Sequence, residues 1–224
     1  KMGTGKKRVV YTYAPGEMTV LKVLTYLLYK YDEKFSPNCY AFRRGLKATD
    51  AVLKLYHKVR NKGLWAYKLD ISNYFNSISV PILLEKLSTL LSDDAALYDF
   101  FARMLSDDRA IYDGEIINEA QGAKAGVPTA SFLANVYLME MDKYFHEQNI
   151  IYARYSDDII VFAEDYDILQ KHKSQISQIL DAHKLEVNPS KQKVFKPGDA
   201  YEFLGFKCSD AGIDISDSAV EKMK

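Results

Sequence analysis

The chain has 224 residues, of which 48% are hydrophobic and 27% are charged, and its formal net charge is zero. This composition is typical of a soluble globular protein that buries a real core. The charge balance alone gives no indication of a polyanionic partner, and the four histidines and two cysteines form no zinc-binding pattern. No apolar run is long enough to span a bilayer, which argues against a membrane-spanning protein.

The cysteines, the first residue and the distribution of basic residues each support one further expectation. Cys39 and Cys208 are far apart and fit no paired motif, so we expect reduced thiols in a cytoplasmic protein. The chain begins with Lys1, which leads us to expect a fragment of a longer protein. Basic runs at 6–8 and 43–47 put positive charge in the first fifth of the chain; an ordinary solvated face is the alternative interpretation.

Helices dominate the first part of the predicted chain. Leucines at helical spacing after Pro15 predict a first helix, and the apolar stripe at 49–60 predicts a second. The alternating segment 65–71 predicts a strand whose odd-numbered residues face one way and whose even-numbered residues face the other. Two more helices are predicted, one capped by Ser79 and one opened by Ser92.

The second part combines a hairpin with helices and short strands. A turn is predicted at 112–116, a helix at 131–145 and a hairpin within 150–163. A long helix follows at 166–183, and short strands are predicted between 185 and 208. Because helices and strands mix without strict βαβ alternation, we expect an α+β fold with a largely antiparallel sheet.

Three acidic residues interrupt apolar strands. Asp157 and Asp158 lie at the tip of the apolar hairpin, and Asp70 is the lone acid of the strand before it. Adjacent carboxylates repel each other unless a cation lies between them, and Mg²⁺ prefers oxygen ligands of this kind. Two such ions can bind both the attacking and the leaving oxygen of a phosphoryl transfer. The alternative is that Asp157 and Asp158 merely occupy a turn, where aspartate is common.

Five motifs, in this order, resemble those of the bacterial reverse transcriptases found in group II introns, retrons and related elements. They are LDISNYFNSI (69–78), AGVPTASFLANVYLMEMD (125–142), YSDD (155–158), NPSKQKVF (188–195) and FLGF (203–206). The upstream segments KKRVVY and YAFRRGLKATDAV resemble fingers segments of that family. The resemblance covers nearly the whole chain. It implies an α+β right-hand polymerase palm, a mostly antiparallel sheet packed on helices, with an α-rich fingers lobe and the thumb largely absent.

The resemblance also implies a division of the chain. Fingers are expected at 1–64, a first part of the palm at 65–87 and a connection between fingers and palm at 88–124. The second part of the palm is expected at 125–208, and 209–224 should begin a thumb.

Catalytic roles follow from the same resemblance. Asp70, Asp157 and Asp158 match the family's metal-binding acids, with Asp70 and Asp157 as the main ligands of two Mg²⁺ ions that Mn²⁺ can replace. Lys191 matches the lysine that protonates the departing pyrophosphate. A plain solvated lysine is an equally good interpretation of Lys191, and Lys193 competes with it for the role.

Nucleotide-binding roles are implied for several other residues. Arg8 resembles the fingers arginine that binds the triphosphate, and Arg43 or Arg44 either assists it or holds the template; arginine suits phosphate through its two-pronged geometry. Phe75 matches the position that excludes the sugar 2′-hydroxyl, because a bulky ring five residues after the metal-binding acid can lie under the sugar. A plain core phenylalanine is the alternative for Phe75.

The GVPTAS loop resembles the segment that contacts the templating base pair. Gly126 permits close backbone approach and Pro128 stiffens the turn, although an ordinary junction between loop and helix is the alternative. The family usually has glutamine before this glycine, whereas this chain has Ala125. A Gln-Gly pair does occur at 121–122, but it is out of register.

The sequence therefore predicts an RNA-directed DNA polymerase. Its expected partners are an RNA template, with DNA as a second kind of template, a DNA or RNA primer, and deoxynucleoside triphosphates. We expect no membrane contact; the oligomeric state and the genetic element stay open. Untemplated or protein-primed DNA synthesis, as in phage-defence relatives, and a non-catalytic RNA-binding scaffold are the alternatives. An RNA-directed RNA polymerase is disfavoured by Phe75.

Overall fold

A computed structural model of the chain describes residues 9–118 and 121–223. In chain order the helices are α1 (Pro15–Leu27), α2 (Ala48–Val59), α3 (Tyr74–Ser77), α4 (Val80–Leu90), α5 (Ala95–Ser106), α6 (Ala130–Tyr137), α7 (Met139–Glu147), α8 (Tyr166–Ala182) and α9 (Asp217–Met223). The strands are β1 (Trp65–Asp70), β2 (Arg109–Tyr112), β3 (Glu115–Asn118), β4 (Tyr152–Tyr155), β5 (Asp158–Ala163), β6 (Lys193–Phe195), β7 (Tyr201–Phe203), β8 (Phe206–Ser209) and β9 (Gly212–Ile215). Two 3₁₀ turns are Leu28–Lys34 and Pro189–Lys191.

These elements form two compact units. The helical unit consists of the described residues of Lys1–Leu28 and Asn73–Tyr137. The sheet unit consists of Tyr29–Ser72 and the described residues of Leu138–Lys224. The predicted boundaries of fingers, palm and thumb remain predictions.

The sheet unit is built on a four-stranded sheet of order β4-β5-β1-β6, in which every neighbouring pair is antiparallel. Its two central strands, β1 and β5, are rich in apolar residues, and Ile159, Ile160 and Val161 are fully buried. Such a run of β-branched residues suits a strand that is covered on both faces. The central strands are therefore fixed by packing from both sides.

Both faces of this sheet are covered. Helix α8 contacts β1 and β5, helix α7 contacts β4, and Phe145 of α7 stacks on Tyr152 with ring centroids 4.6 Å apart. The opposite face, which includes Ala66, Ile160 and Phe162, packs with helix α2 and with the small sheet β7-β8-β9 in one buried cluster. The even-numbered residues of β1 lie on this opposite face: Ala66 belongs to the buried cluster, and Asp70 lies at the far end of the strand.

The helical unit has its own core. Helix α4 packs against α5 and α6, burying Leu83 and Leu87 completely. Phe101 of α5 stacks on Phe132 of α6 with ring centroids 6.3 Å apart. The hairpin of β2 and β3, predicted from the turn at 112–116, belongs to this unit.

The predicted fold class is confirmed: the described chain is α+β, and its sheets are antiparallel. Across residues 9–118 and 121–223, no helix combines the length and the apolar character needed to cross a bilayer.

Three local predictions were wrong or incomplete. The helix predicted at 131–145 is two helices, α6 and α7, separated at Leu138, whose φ of −112° and ψ of 15° are not helical. Ser79 occupies the position before α4, but its side chain makes no capping bond. Helix α5 is capped by Asp94, not by Ser92, and the Asp94 carboxylate accepts a hydrogen bond from the Leu97 N–H at 3.1 Å.

Replacing the observed cap of α5 should destabilise the protein. We expect Asp94→Ala to lower the free energy of unfolding by about 1 kcal/mol, because it leaves N–H groups of the first helical turn without a side-chain acceptor. Ser92→Ala is the matched control and should change it by less than about 0.5 kcal/mol. Equilibrium denaturation by urea measures both values, and an equal loss in the two variants would contradict the assignment of the cap.

Candidate active site

The ends of the two central strands bring two of the predicted acids side by side. Asp70 is the last residue of β1, Asp158 is the first residue of β5, and the antiparallel register places them directly opposite each other. Directly opposed residues point to the same face of a sheet, with their Cβ atoms about 5 Å apart. Two carboxylates therefore share one end of one sheet face.

Asp157 lies in the tight turn that joins β4 to β5. Tyr155 is paired with Asp158, so the turn consists of Ser156 and Asp157 alone. Ser156 has a φ of 60°, which is the left-handed conformation that two-residue hairpin turns require. The carbonyl of Asp157 accepts a hydrogen bond from the Ile71 N–H at 3.0 Å, which ties this turn to the end of β1.

The NPSK motif attaches Lys191 to the same strand end. The Asn188 N–H donates to the Asp70 carbonyl at 2.8 Å, and the Asn188 side chain accepts from the Ser190 N–H and hydroxyl at 3.2 Å and 2.8 Å. These bonds shape the 3₁₀ turn that ends at Lys191. The Lys191 Nζ then lies 2.6 Å from Oδ2 of Asp70.

Each strand-end acid thus has a lysine counter-ion. The Asp70 side chain is only 7% exposed, while that of Lys191 is 51% exposed, so Lys191 reaches from solvent into the buried carboxylate. Lys68, on the same face of β1, places Nζ 3.4 Å from Oδ1 of Asp158. The two ammonium groups offset the repulsion between the opposed carboxylates.

Burial raises the pKa of the Asp157 carboxyl above its usual range, and the negative charges of Asp70 and Asp158 raise it further. Its own backbone N–H and the charge of Lys191 lower that pKa, but burial is the largest influence. A partly buried carboxylate close to two others is a place where added positive charge would be stabilising.

The donor set fits a hard divalent cation. Within residues 9–118 and 121–223, no three His, Cys, Asp or Glu side chains are already arranged as a group of metal ligands. Asp70 and Asp158 are instead held by Lys191 and Lys68. Carboxylate oxygens are nevertheless the ligands that Mg²⁺ prefers, and an ion bound to Asp70 and Asp158 would compete with the two lysine ammonium groups.

In the helical unit, Tyr74 and Phe75 have different environments. Tyr74 is buried, and its hydroxyl donates to the Ala134 carbonyl at 2.6 Å, so it is the core residue of this short segment. Phe75 is only half-buried. Its ring packs beside that of Tyr74, with centroids 5.9 Å apart, and its role in sugar selection stays a prediction.

The Gln-Gly pair that is out of register supports the backbone of Phe75. The Ala123 N–H donates to the Phe75 carbonyl at 2.8 Å. Gly122 has a φ of 60°, and a Cβ there would overlap the Phe75 carbonyl oxygen and approach the Asn76 Cα to 2.7 Å. Only glycine permits this close approach.

Gly126 and Pro128 both shape the loop before α6. Gly126 has a φ of 95°, and a Cβ added to it would lie 2.8 Å from the Tyr11 carbonyl oxygen. The segment that approaches Gly126 closely is therefore the backbone at Tyr11, whose N–H donates to the Ala125 carbonyl at 2.6 Å. Pro128 follows Val127, whose carbonyl accepts from the Ala130 N–H at 3.0 Å, so proline occupies the turn position that suits its fixed φ.

Of the arginines predicted to bind nucleotide, Arg43 contacts other residues of the sheet unit. Arg43 donates from Nη1 to the carbonyls of Ser36 and Cys39, each at 3.2 Å, and its Nε lies 3.4 Å from Asp32. These contacts give Arg43 a structural role inside the sheet unit, and its part in binding nucleotide stays a prediction. Arg8 lies outside the described residues.

Comparison with known families agrees with this geometry. A family described as reverse transcriptase (RNA-dependent DNA polymerase) matches residues 1–208. The chain belongs to the reverse transcriptase family. The retron Ec83 reverse transcriptase of Escherichia coli is 25% identical to it over 116 residues, which is 50% of this chain and 36% of that protein.

Solved structures place the fold of this family member among polymerase domains. Apo telomerase from Candida tropicalis, truncated from its C-terminal domain, matches with a TM-score of 0.67 at 16% identity and covers 92% of this chain. A telomerase from Candida albicans in complex with a fragment of telomeric RNA matches with a TM-score of 0.64 at 13% identity, covering 91% of this chain. The chain spans 46% and 38% of these two proteins. At this identity the likeness establishes the fold alone.

The structure brings Asp70, Asp157, Asp158 and Lys191 together at the end of β1, and their catalytic roles stay predictions. Sequence reasoning gave no role to four further residues around the motifs. They are Lys68, Gly122, Asp142 and Arg154. Arg154 left a signal in the sequence, because it is the only charged residue of β4. Gly122 was recognised only as part of the Gln-Gly pair that is out of register with the family motif. No single motif revealed their partners, which are distant in sequence.

Neutralising Asp157 should stabilise the metal-free protein. Because its pKa is raised in the folded state, wild-type stability falls as the pH rises from the ordinary carboxyl range through that raised pKa. We expect Asp157→Asn to raise the thermal midpoint at pH 7 by a few degrees in the presence of a chelator, and the difference should vanish at acidic pH.

The control for this experiment is Asp167→Asn, which neutralises an exposed acid in the first turn of α8. Differential scanning calorimetry across the pH range measures both variants. If Asp157→Asn melts at or below the wild-type temperature at pH 7 while folding normally, the raised pKa assigned to Asp157 is wrong.

Proposed function

We propose that this protein is a reverse transcriptase that adds deoxynucleotides to a primer 3′-hydroxyl on an RNA template. The observation that carries this proposal is the opposed pair Asp70 and Asp158, with Asp157 in the adjoining turn and Lys191 in contact with Asp70. Family membership supports the reaction class, and these residues supply the chemistry it requires. A DNA template and either a DNA or an RNA primer belong to the same proposal.

Asp70, Asp157 and Asp158 would hold Mg²⁺, with Mn²⁺ as a substitute. Two such ions, when bound, activate the primer 3′-hydroxyl and neutralise charge on the departing pyrophosphate. The chain's own part is to present oxygen ligands from the ends of β1 and β5 and from the two-residue turn between β4 and β5. Partial burial keeps water away from them, which strengthens their interactions with charged groups.

Lys191 acts as the proton donor in this proposal. Its ammonium group is held at Asp70 by the NPSK turn, and half of its side chain is exposed. If a bound cation neutralised Asp70, the flexible Lys191 side chain would be free to turn away and to donate its proton to the leaving pyrophosphate. The same residue therefore balances the charge of Asp70 before substrates bind.

Nucleotide selection is assigned to Phe75, with the triphosphate bound by Arg8 and assisted by Arg43. Phe75 excludes a 2′-hydroxyl by occupying the space under the sugar, and the Gly122 backbone fixes its position. Gly126 and Pro128 shape the loop that supports the templating pair. Contacts to the phosphate backbones of primer and template give most of the affinity, so binding falls steeply as salt rises.

Primer extension tests the reaction and its metal site together. With a primed RNA template and dNTPs, we expect the wild-type protein to extend the primer in Mg²⁺ or Mn²⁺, and Asp157→Ala to lose at least about 100-fold of that rate. Asp167→Asn should keep wild-type activity. Products made by the wild type without template would favour untemplated synthesis, and a well-folded wild type that binds RNA without extending primers would favour a non-catalytic scaffold. Activity that survives Asp157→Ala would overturn the assignment of the site.

Sugar selection provides a separate test. We expect Phe75→Ala to raise the incorporation of ribonucleotides relative to deoxyribonucleotides by about 10-fold or more, because the ring no longer excludes the 2′-hydroxyl. Phe100→Ala is the matched control, since it removes another partly exposed ring from the same unit. Single-turnover rates with paired dNTP and rNTP measure the ratio. The same rise in both variants would show that Phe75 has no special part in selection.

A further inference from the structure

A buried ion pair lies next to the candidate active site. Arg154 of β4 and Asp142 of α7 are both completely buried. The Arg154 Nε lies 2.8 Å from Oδ1 of Asp142, and its Nη2 lies 2.5 Å from Oδ2, so the guanidinium forms a two-pronged contact. The Tyr152 hydroxyl donates to the same carboxylate at 2.9 Å.

The remaining nitrogen of the Arg154 guanidinium contacts the Ser156–Asp157 turn. Nη1 of Arg154 donates to the Ser156 carbonyl at 3.2 Å, and Nη2 lies 3.3 Å from Sγ of the buried Cys39. Ser156 is the residue before Asp157 and holds the left-handed φ of the turn. The Asp142 carboxylate fixes the plane of the guanidinium, and the guanidinium in turn fixes the Ser156 peptide.

The backbone of Arg154 is restrained as firmly as its side chain. Its N–H donates to the Asn38 carbonyl at 2.9 Å, and its carbonyl accepts from the Tyr40 N–H at 3.0 Å. The two-residue turn is therefore anchored at both carbonyls, that of Ser156 by Arg154 and that of Asp157 by the Ile71 N–H at 3.0 Å. A turn held from both sides gives the Asp157 side chain a fixed starting point.

We propose that Arg154 is a positioning residue for the metal site, and that its ion pair with Asp142 holds the Ser156–Asp157 turn in the geometry that binds a divalent cation. This inference rests on the proposed function, because it assumes that Asp157 is a metal ligand. Replacing a buried ion pair by apolar groups of similar volume often leaves stability unchanged, so packing alone does not require this pair. Its contact with the Ser156 carbonyl gives the pair a task that an apolar pair cannot perform.

The test separates positioning from folding. Removing Arg154 alone would leave Asp142 buried without its cation, so the principal variant is the triple substitution Tyr152→Phe, Asp142→Leu and Arg154→Met, which removes the whole polar group. Tyr152→Phe alone is the matched control, because it removes one hydrogen bond to Asp142 and leaves the contact with Ser156 intact. Arg154→Lys is a second variant, which keeps a positive charge opposite Asp142 but lacks the fork that reaches both partners.

Mn²⁺ binding followed by electron paramagnetic resonance gives a readout that does not depend on activity. We expect the triple variant to weaken Mn²⁺ binding by about 10-fold or more and to lower kcat comparably, with little change in the KM for the primer–template. Its deuterium uptake at the amides of 155–158 should rise, while its thermal midpoint stays near the wild-type value. Arg154→Lys should change the same quantities in the same direction, and Tyr152→Phe should leave them at wild-type values.

The outcomes distinguish this inference from the proposed function. If the wild type binds no Mn²⁺ and extends no primer, the proposed function fails and this inference fails with it. If the wild type does both, and a folded triple variant or Arg154→Lys matches its Mn²⁺ affinity and its exchange at 155–158, only the role of Arg154 is overturned. Should the triple variant not fold, the comparison of Arg154→Lys with Tyr152→Phe decides the question alone.

Discussion

The structure depends on the repulsion between carboxylates at one end of the two central strands of its four-stranded sheet. Asp70 and Asp158 are directly opposed on the two central strands, an arrangement that destabilises an antiparallel sheet. A third carboxylate, Asp157, follows in the turn, and its pKa is raised mainly by burial. The surrounding packing must supply the stability that this cluster removes, and a site that is costly without its ligand is a common feature of enzymes.

Three kinds of support hold these acids in place. Lysines from two different segments offset the negative charge of the acids. Lys68 of β1 contacts Asp158, and Lys191 contacts Asp70 from a short turn that is hydrogen-bonded to the Asp70 backbone. Covered sheet faces fix the central strands, so Asp70 and Asp158 extend from well-packed strands, and Asp157 lies in the two-residue turn beside them. Beneath the turn, the pair of Arg154 and Asp142 restrains the peptide before Asp157. Charge, packing and hydrogen bonding thus act on different atoms of the same small region.

Much of this arrangement could be predicted from the sequence, because it follows from local patterns. The alternation of 65–71 and the apolar runs around YSDD predicted β1 and the hairpin, and lone acids in apolar strands pointed to the site. Helix ends were less predictable: Asp94 and Ser92 are both good caps, and only the backbone geometry decides between them. The break at Leu138 was invisible, since a leucine fits the apolar stripe whether the helix continues or stops.

Contacts between distant segments lay beyond such patterns. Lys191 meets Asp70 because the Asn188 N–H reaches the Asp70 carbonyl, and no spacing in the sequence encodes that bond. The roles of Gly122 and Arg154 likewise depend on which backbone passes close to them. The resemblance to a family supplied the order of the motifs, whereas the hydrogen bonds that join them had to be read from the fold.

The strand order has a consequence for how the protein is made. Strand β1 lies between β5 and β6, and both of these neighbours come from much later parts of the chain. During synthesis, β1 therefore leaves the ribosome with two unpaired edges, and it stays so until the segments that flank it have been translated. An unpaired apolar strand in an incomplete chain is prone to aggregation, so the late arrival of both partners makes β1 the vulnerable element during synthesis.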